Sequence, residues 1–164
     1  MESKIVDSFS AKGYVHIKKI DKRTMEVVEE IDNHNLIVKS GRSTLINLLI
    51  GNSALKITKM AIGKGGANLS TSPFVPIAPT DGNTNLASPI LTSGLATISP
   101  NLTGTNPQVT FTALFDCLDV KSLVNEVGLF FNDGTTMFAR YTFKTVSLET
   151  DSNFSLQVSW TIEF

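Results

Sequence analysis

The sequence predicts a mainly β protein: an antiparallel β-sandwich, jelly-roll-like, with one short α-helix near residues 41–50. Three observations predict it. In Phe154, Leu156, Val158, Trp160, Ile162 and Phe164 every second residue is large and apolar, with Ser155, Gln157, Ser159, Thr161 and Glu163 between them. Strict period two marks a strand with one buried face and one wet or half-wet face. Val109, Phe111, Ala113 and Phe115 repeat that pattern. Finally, a single segment has helical spacing, and turn-rich joints separate the remaining strand-like runs, which suits two packed sheets.

The elements follow in chain order. Gly13 to Ile20 and Thr24 to Ile31 flank Asp21-Lys22-Arg23, the spacing of a hairpin with a polar turn. Asp32-Asn33-His34-Asn35 predicts a second turn, because such side chains bond their own backbone. Leu36-Ile37-Val38 reads as a buried strand. In the helix that follows, Ser40 is the expected N-cap, Leu45, Ile46, Leu48 and Leu49 share a face, and Gly51 closes the C-terminus. A helix of about eleven residues is marginal alone, so it must pack on a sheet. Ile57 to Ile62 is the next strand, broken by Gly63-Lys64-Gly65-Gly66. Residues 65–85 read as a long loop, 86–98 as an irregular strand and 101–107 as a turn.

Val124 to Phe131 and Thr135 to Phe143 form a hairpin around Asn132-Asp133-Gly134. A two-residue loop would set Arg140 opposite Val127; a three-residue loop with Gly134 left-handed would set it opposite Glu126. The second register is preferred. It gathers Val127, Leu129, Met137, Ala139, Tyr141 and Phe143 on one face and gives Glu126 a cross-strand partner.

The 164 residues predict an arm over residues 1–12 and one domain over 13–164. Fourteen basic and fifteen acidic residues give a net charge of -1, which argues against a polyanion binder or a polybasic membrane anchor and favours self-association. No run approaches the roughly 18 apolar residues of a membrane-spanning helix, and the first residues contain no stretch of signal-peptide length. The chain is therefore expected to be made in a cytoplasm. The lone Cys117 reads as a small, half-buried apolar residue.

Catalytic constellations are not apparent. His16 falls on a strand and His34 in a turn, a poor basis for a metal site. Gly63-Lys64-Gly65-Gly66 lacks the full phosphate-loop pattern and reads as a strand-breaking bend. Glu26, Glu29 and Glu30 read as a solvated sheet edge, and they offset the basic Lys18, Lys19, Lys22 and Arg23. No catalytic residue, cofactor, metal or nucleic-acid partner is expected.

The distribution of charge is more informative. Residues 65–108 contain all six prolines and one charged residue, Asp81. An uncharged polar segment suits a surface that ends against other protein, where a stranded charge would be costly. The candidate interface loop is marked by Asn68, Pro73, Phe74, Pro76, Pro79 and Asp81. Glu126 and Arg140 are either an ordinary cross-strand pair or the pair that fixes a hairpin inside an assembly contact.

Several blocks, in order, resemble small structural proteins of tailed bacteriophages. They are Asn35-Leu36-Ile37-Val38, Gly41, the Leu45–Leu49 helix, Met60-Ala61-Ile62-Gly63, Pro79-Thr80-Asp81, Asn125-Glu126-Val127-Gly128-Leu129-Phe130 and Phe138-Ala139-Arg140. Similar blocks occur in tail-fibre, collar and baseplate-associated proteins and in phage-derived contractile injection devices. The resemblance covers residues 33–164. It implies a non-enzymatic virion component that docks on a tail or baseplate and bridges to a fibre or neighbour. It also implies a shared hairpin at Glu126, Gly128 and Arg140, with Gly128 kept free for a close backbone approach.

The expected partners are copies of the chain itself, as a trimer or hexamer, and other tail proteins. The arm and the charge-poor segment are expected to order on assembly, and deleting residues 68–80 to leave a folded domain that fails to assemble. A capsid decoration or neck protein is the runner-up. A carbohydrate-binding β-sandwich is the reading from another class, but it needs exposed aromatic platforms, so a glycan receptor is not the expected partner.

Overall fold

The computed structural model describes residues 10–148 and 153–164. Twelve strands and two helices follow in order. They are β1 (Lys12–Asp21), β2 (Val27–His34), β3 (Leu36–Ile37), α1 (Lys39–Leu49), β4 (Ile57–Gly63), β5 (Ala67–Asn68) and β6 (Val75–Pro76). Then come β7 (Pro89–Gly94), β8 (Thr97–Asn101), β9 (Gln108–Asp116), α2 (Cys117–Val120), β10 (Leu123–Phe131), β11 (Met137–Ser147) and β12 (Phe154–Glu163). Two five-stranded antiparallel sheets pack as a sandwich, with orders β2-β1-β12-β9-β8 and β3-β11-β10-β4-β7. The expected fold class is the observed one.

Alternation builds the core. Val15 and Ile17 of β1, Phe111, Ala113 and Phe115 of β9, and Leu156, Val158, Trp160 and Ile162 of β12 face inward from the first sheet. Met60, Ile62, Val127, Leu129, Ala139, Tyr141 and Phe143 meet them from the second. On the outer face of the first sheet the intervening hydroxyls pair across strands, Thr110 with Thr161 at 2.8 Å and Thr112 with Ser159 at 3.3 Å. Cys117 is fully buried, deeper than the half-buried position expected for it. The β2 edge carries Glu29 and Glu30, and Glu30 is tied to His16 and Lys18 of β1. Charge on an open edge opposes pairing with another strand.

Several local expectations are corrected. Lys12 already belongs to β1; residues 1–9 of the expected arm lie outside the described residues. Asp32, Asn33 and His34 continue β2 instead of turning, because each pairs with β1. The chain changes sheets at Asn35, whose N–H donates to Gly13 O and whose side chain fills the space a Cβ at Gly13 would need. Helix α1 starts at Lys39, and its N-cap position, Val38, offers no side-chain bond. Ser40 Oγ instead donates to Met137 O at 2.8 Å, fastening the helix to β11. Gly51 does close the helix, with φ +74°. The single-turn α2 was not anticipated; Asp116 caps it, accepting from Leu118 N at 2.9 Å.

The β10–β11 hairpin adopts neither expected register. Gly134 is left-handed, with φ +72°, but the turn closes between Phe131 and Thr136, and a bulge leaves Phe138 without an opposite residue. Arg140 therefore lies opposite Gly128, and Glu126 opposite Thr142. The bulge turns Phe138 into the main core and Met137 to the outer face.

Candidate functional site

The outer face of the second sheet carries an apolar patch beside a buried polar group where β4, β10 and β11 run side by side. Val38, Ala61, Leu86, Phe130 and Met137 form a second buried cluster there. Residues 65–88 lie across this face as a strap that includes the two-stranded β5–β6 ribbon. The protein that the inner side of the segment lies against is its own sheet, with Gly66, Ala67 and Leu86 buried there.

The strap is fastened by Glu126, whose side chain is fully buried. Oε1 accepts from Gly65 N at 2.9 Å and from Ser88 N at 2.8 Å. Oε2 accepts from Ala87 N at 3.0 Å and from Arg140 Nη2 at 2.6 Å. Arg140 is buried in turn, and its Nη1 donates to Asn83 Oδ1 at 2.9 Å. One carboxylate thus ties both ends of the strap to β10, while the guanidinium reaches the strap from β11. The pair is diagonal across the hairpin, with Gly128 opposite Arg140.

Burial is the largest influence on the Glu126 carboxyl and resists its ionisation. The N–H groups of Ser88 and Ala87, the Arg140 guanidinium and the Gly65 N–H together outweigh it, so the carboxyl sits below its ordinary range. Asn125, beside it, accepts from Gly66 N at 2.7 Å. Further along, Thr142 Oγ1 donates to Ile77 O and Ile77 N donates to Gly66 O, both at 2.8 Å.

The structure brings Glu126, Gly128 and Arg140 together beneath the strap. Asn68, Pro73 and Pro76 lie on its exposed side, while Phe74 and Pro79 are half-buried. Phe74 and Pro73 line a cleft of about 470 Å³ with Glu29 and Lys144, which pair at 2.9 Å. Asp81 serves a different purpose. It bonds Arg42 of α1 at 2.7 Å and its backbone oxygen accepts from Lys39 N, so it ties the strap to the helix. That bond to Arg42 holds the Asp81 carboxyl below its ordinary value.

Sequence reasoning missed the role of Gly63, Gly65 and Gly66. A Cβ at Gly66 would lie 2.3 Å from Asn125 O, and one at Gly63 would lie 2.5 Å from Glu126 Oε1 and 2.6 Å from Ser88 O. A Cβ at Gly65 would meet Ala87 and Ser88 within 2.9 Å. The close backbone approach expected at Gly128 occurs at this trio instead. Around Gly128 the nearest atoms belong to the side chains of Phe130, Leu86 and Met137. The signal in the sequence was three glycines in four positions after a strand, a mark of close approach as much as of a bend.

No helix of the described residues is long and apolar enough to cross a membrane, and no three His, Cys, Asp or Glu side chains among them gather as a metal set. Set against known protein families, curated proteins and solved structures, the chain matches none.

Proposed function

We propose that this chain is a non-enzymatic structural protein of a phage tail, docking on the tail or baseplate, bridging to fibres or neighbouring subunits, and self-associating as a trimer or hexamer. The resemblance of its ordered sequence blocks supplies the setting. The observation that carries the reading is the outward side of the strap. Leu69, Val75 and Ile77 are each more than half exposed there, within a stretch whose only charge, Asp81, is paired with Arg42. Apolar side chains on a backbone fastened from beneath suit a surface that another protein covers. The one ionised group of the strap, Asp81, already has a partner in Arg42, so little charge has to be desolvated when that happens. Symmetric repetition then multiplies a modest contact into a durable one.

The test is antibody labelling and mass spectrometry of particles produced by the genome that encodes the chain. The expected result is label on the tail and incorporation that is lost when Leu69, Val75 and Ile77 are all changed to serine, with the variant still folded. Absence from the particles overturns the proposal, as does undiminished incorporation of the variant. Label confined to the head or neck replaces it with the decoration reading.

A further inference from the structure

Two Asp-Gly steps occur in the chain, Asp81-Gly82 and Asp133-Gly134. At such a step the main-chain nitrogen of the glycine can attack the carboxyl before it, because no side chain shields the approach. The fold treats the two steps differently. At the second, both reacting groups are engaged. The Asp133 carboxylate accepts from Thr135 N, Thr136 N and Thr136 Oγ1, and the Gly134 N–H donates to Phe131 O at 3.0 Å. At the first, the Asp81 carboxylate is half exposed and is held by Arg42 alone, at 2.7 Å. Gly82 is exposed, and nothing beyond its chain neighbours lies within 4 Å of the place a Cβ would take. Among the described residues, no group accepts from the Gly82 N–H.

We propose that Asp81-Gly82 is a site of spontaneous aspartate isomerisation, with Arg42 as its guard. In the reaction Gly82 N forms a bond to Asp81 Cγ. One carboxyl oxygen leaves as water, taking the acid's proton and the amide proton. Water then reopens the ring. Cleavage at Cγ restores aspartate, and cleavage at the main-chain carbonyl leaves isoaspartate, whose chain runs through Cβ. Only water is lost and regained, and nothing is oxidised or reduced. The carboxyl has to be protonated before its oxygen can leave. Arg42 and Lys39, both of α1, are the charged groups that face it, and both favour its ionised form. The ion pair therefore slows a step that the open Gly82 N–H permits.

The position of the turn gives the change its consequence. Asn83 N donates to Thr80 O at 3.0 Å and Thr80 N donates to Asn83 Oδ1 at 2.8 Å, so Asp81 and Gly82 are the central residues of a tight turn. On one side Lys39 N donates to Asp81 O and ties the turn to α1. On the other, Arg140 Nη1 donates to Asn83 Oδ1 and ties it to β11. An extra main-chain carbon between these two anchors breaks their register. The middle of the strap is released with time, while Glu126 still holds its ends.

Ageing the folded protein in mildly acidic heavy-oxygen water at body temperature tests it. Each ring opening leaves one heavy oxygen in the digested peptide, and electron-transfer fragmentation tells isoaspartate from aspartate. The expected result is label and isoaspartate at Asp81, with several-fold less at Asp133. Arg42→Ala is expected to raise the Asp81 rate several-fold and to leave Asp133 unchanged. High salt screens an exposed pair, so it is expected to move the wild type in the same direction without any variant having to fold. In the aged protein, amide exchange should quicken at Lys39 and Asn83 and stay unchanged at Gly65 and Ser88. An Asp81 that takes up no more label than Asp133 overturns the site. An Asp81 rate that neither Arg42→Ala nor salt raises overturns the guard. Unchanged exchange at Lys39 and Asn83 in isomerised protein overturns the release.

Discussion

Replacing Glu126 with glutamine tests the fastening of the strap. The change keeps size and shape and converts one carboxylate oxygen into an NH₂ group. Both oxygens accept two bonds each, and every donor is fixed by backbone or by Arg140. Either orientation of the amide therefore turns a donor toward two donors. One orientation strands Gly65 N and Ser88 N; the other strands Ala87 N and the Arg140 charge. Each buried unsatisfied donor costs about 1–3 kcal/mol, and breaking a buried ion pair costs about 3–5 kcal/mol. A loss of about 3–5 kcal/mol is expected, a large share of the roughly 5–15 kcal/mol that holds an ordinary domain folded. With a urea slope of about 2 kcal/mol per molar, the midpoint should fall by about 1.5–2.5 M. Hydrogen exchange should accelerate first at the amides of Gly65, Ala87 and Ser88. The acid limb supplies a second reading. The Glu126 carboxyl is lowered on folding, so its stabilisation is fully present above its unfolded value of about 4.3 and is lost as pH falls through its folded value. Glu126→Gln should therefore flatten part of the wild-type loss of stability below about pH 4.3. A midpoint shift under about 0.5 M, with no change in exchange at those three amides, would refute this account of the strap.

Two further predictions use the same geometry. Gly66→Ala should lower stability by about 2 kcal/mol or more in thermal unfolding, because its Cβ would meet Asn125 O, which is backbone. Gly128→Ala should cost about 1 kcal/mol, because its neighbours are the side chains of Phe130, Leu86 and Met137, which can shift; equal costs would refute the distinction. Replacing residues 69–74 with Asn-Gly should leave the urea midpoint nearly unchanged while abolishing incorporation into particles, because Ala67 and Pro76 are already cross-strand neighbours. A melted domain after that replacement would show that the ribbon tip is part of the fold.

The strands were legible wherever apolar and polar residues alternate, as in β9 and β12, because one buried face is enough to write period two into the sequence. The hairpin register was not. Met137, Phe138 and Ala139 are apolar in succession, so nothing in the pattern shows which of the first two is the bulged residue. The structure settles it by giving Phe138 to the core and Met137 to the outer cluster. The helix was legible, but its orientation was not. Its apolar stripe reads as a core face, yet only Leu45 of it packs against the main core, Ile46 and Leu49 are exposed, and the closest approach is made by Gly41 to a backbone oxygen of β11. Glu126 and Arg140 were legible as a pair. Their burial was not, because it depends on a strap that returns from some sixty positions away in the chain.

That return changes the meaning of the charge-poor segment. A free loop would have to be ordered when a partner arrives, and the lost chain entropy would subtract from the affinity. Residues 65–88 are instead fastened by Glu126 at both ends, by Arg140 through Asn83, by Thr142 through Ile77 and by Arg42 through Asp81. Backbone groups of Gly65, Gly66, Ile77, Ala87 and Ser88 and the side chain of Asn83 bond inward, while Leu69, Val75 and Ile77 remain outside. A partner that covers them meets a surface already shaped, and the entropy of shaping it has been met during folding. The buried ion pair is therefore best read as a positioning device. Its direct contribution to stability is offset by desolvation, but it sets where the strap lies, and so which side chains the protein presents.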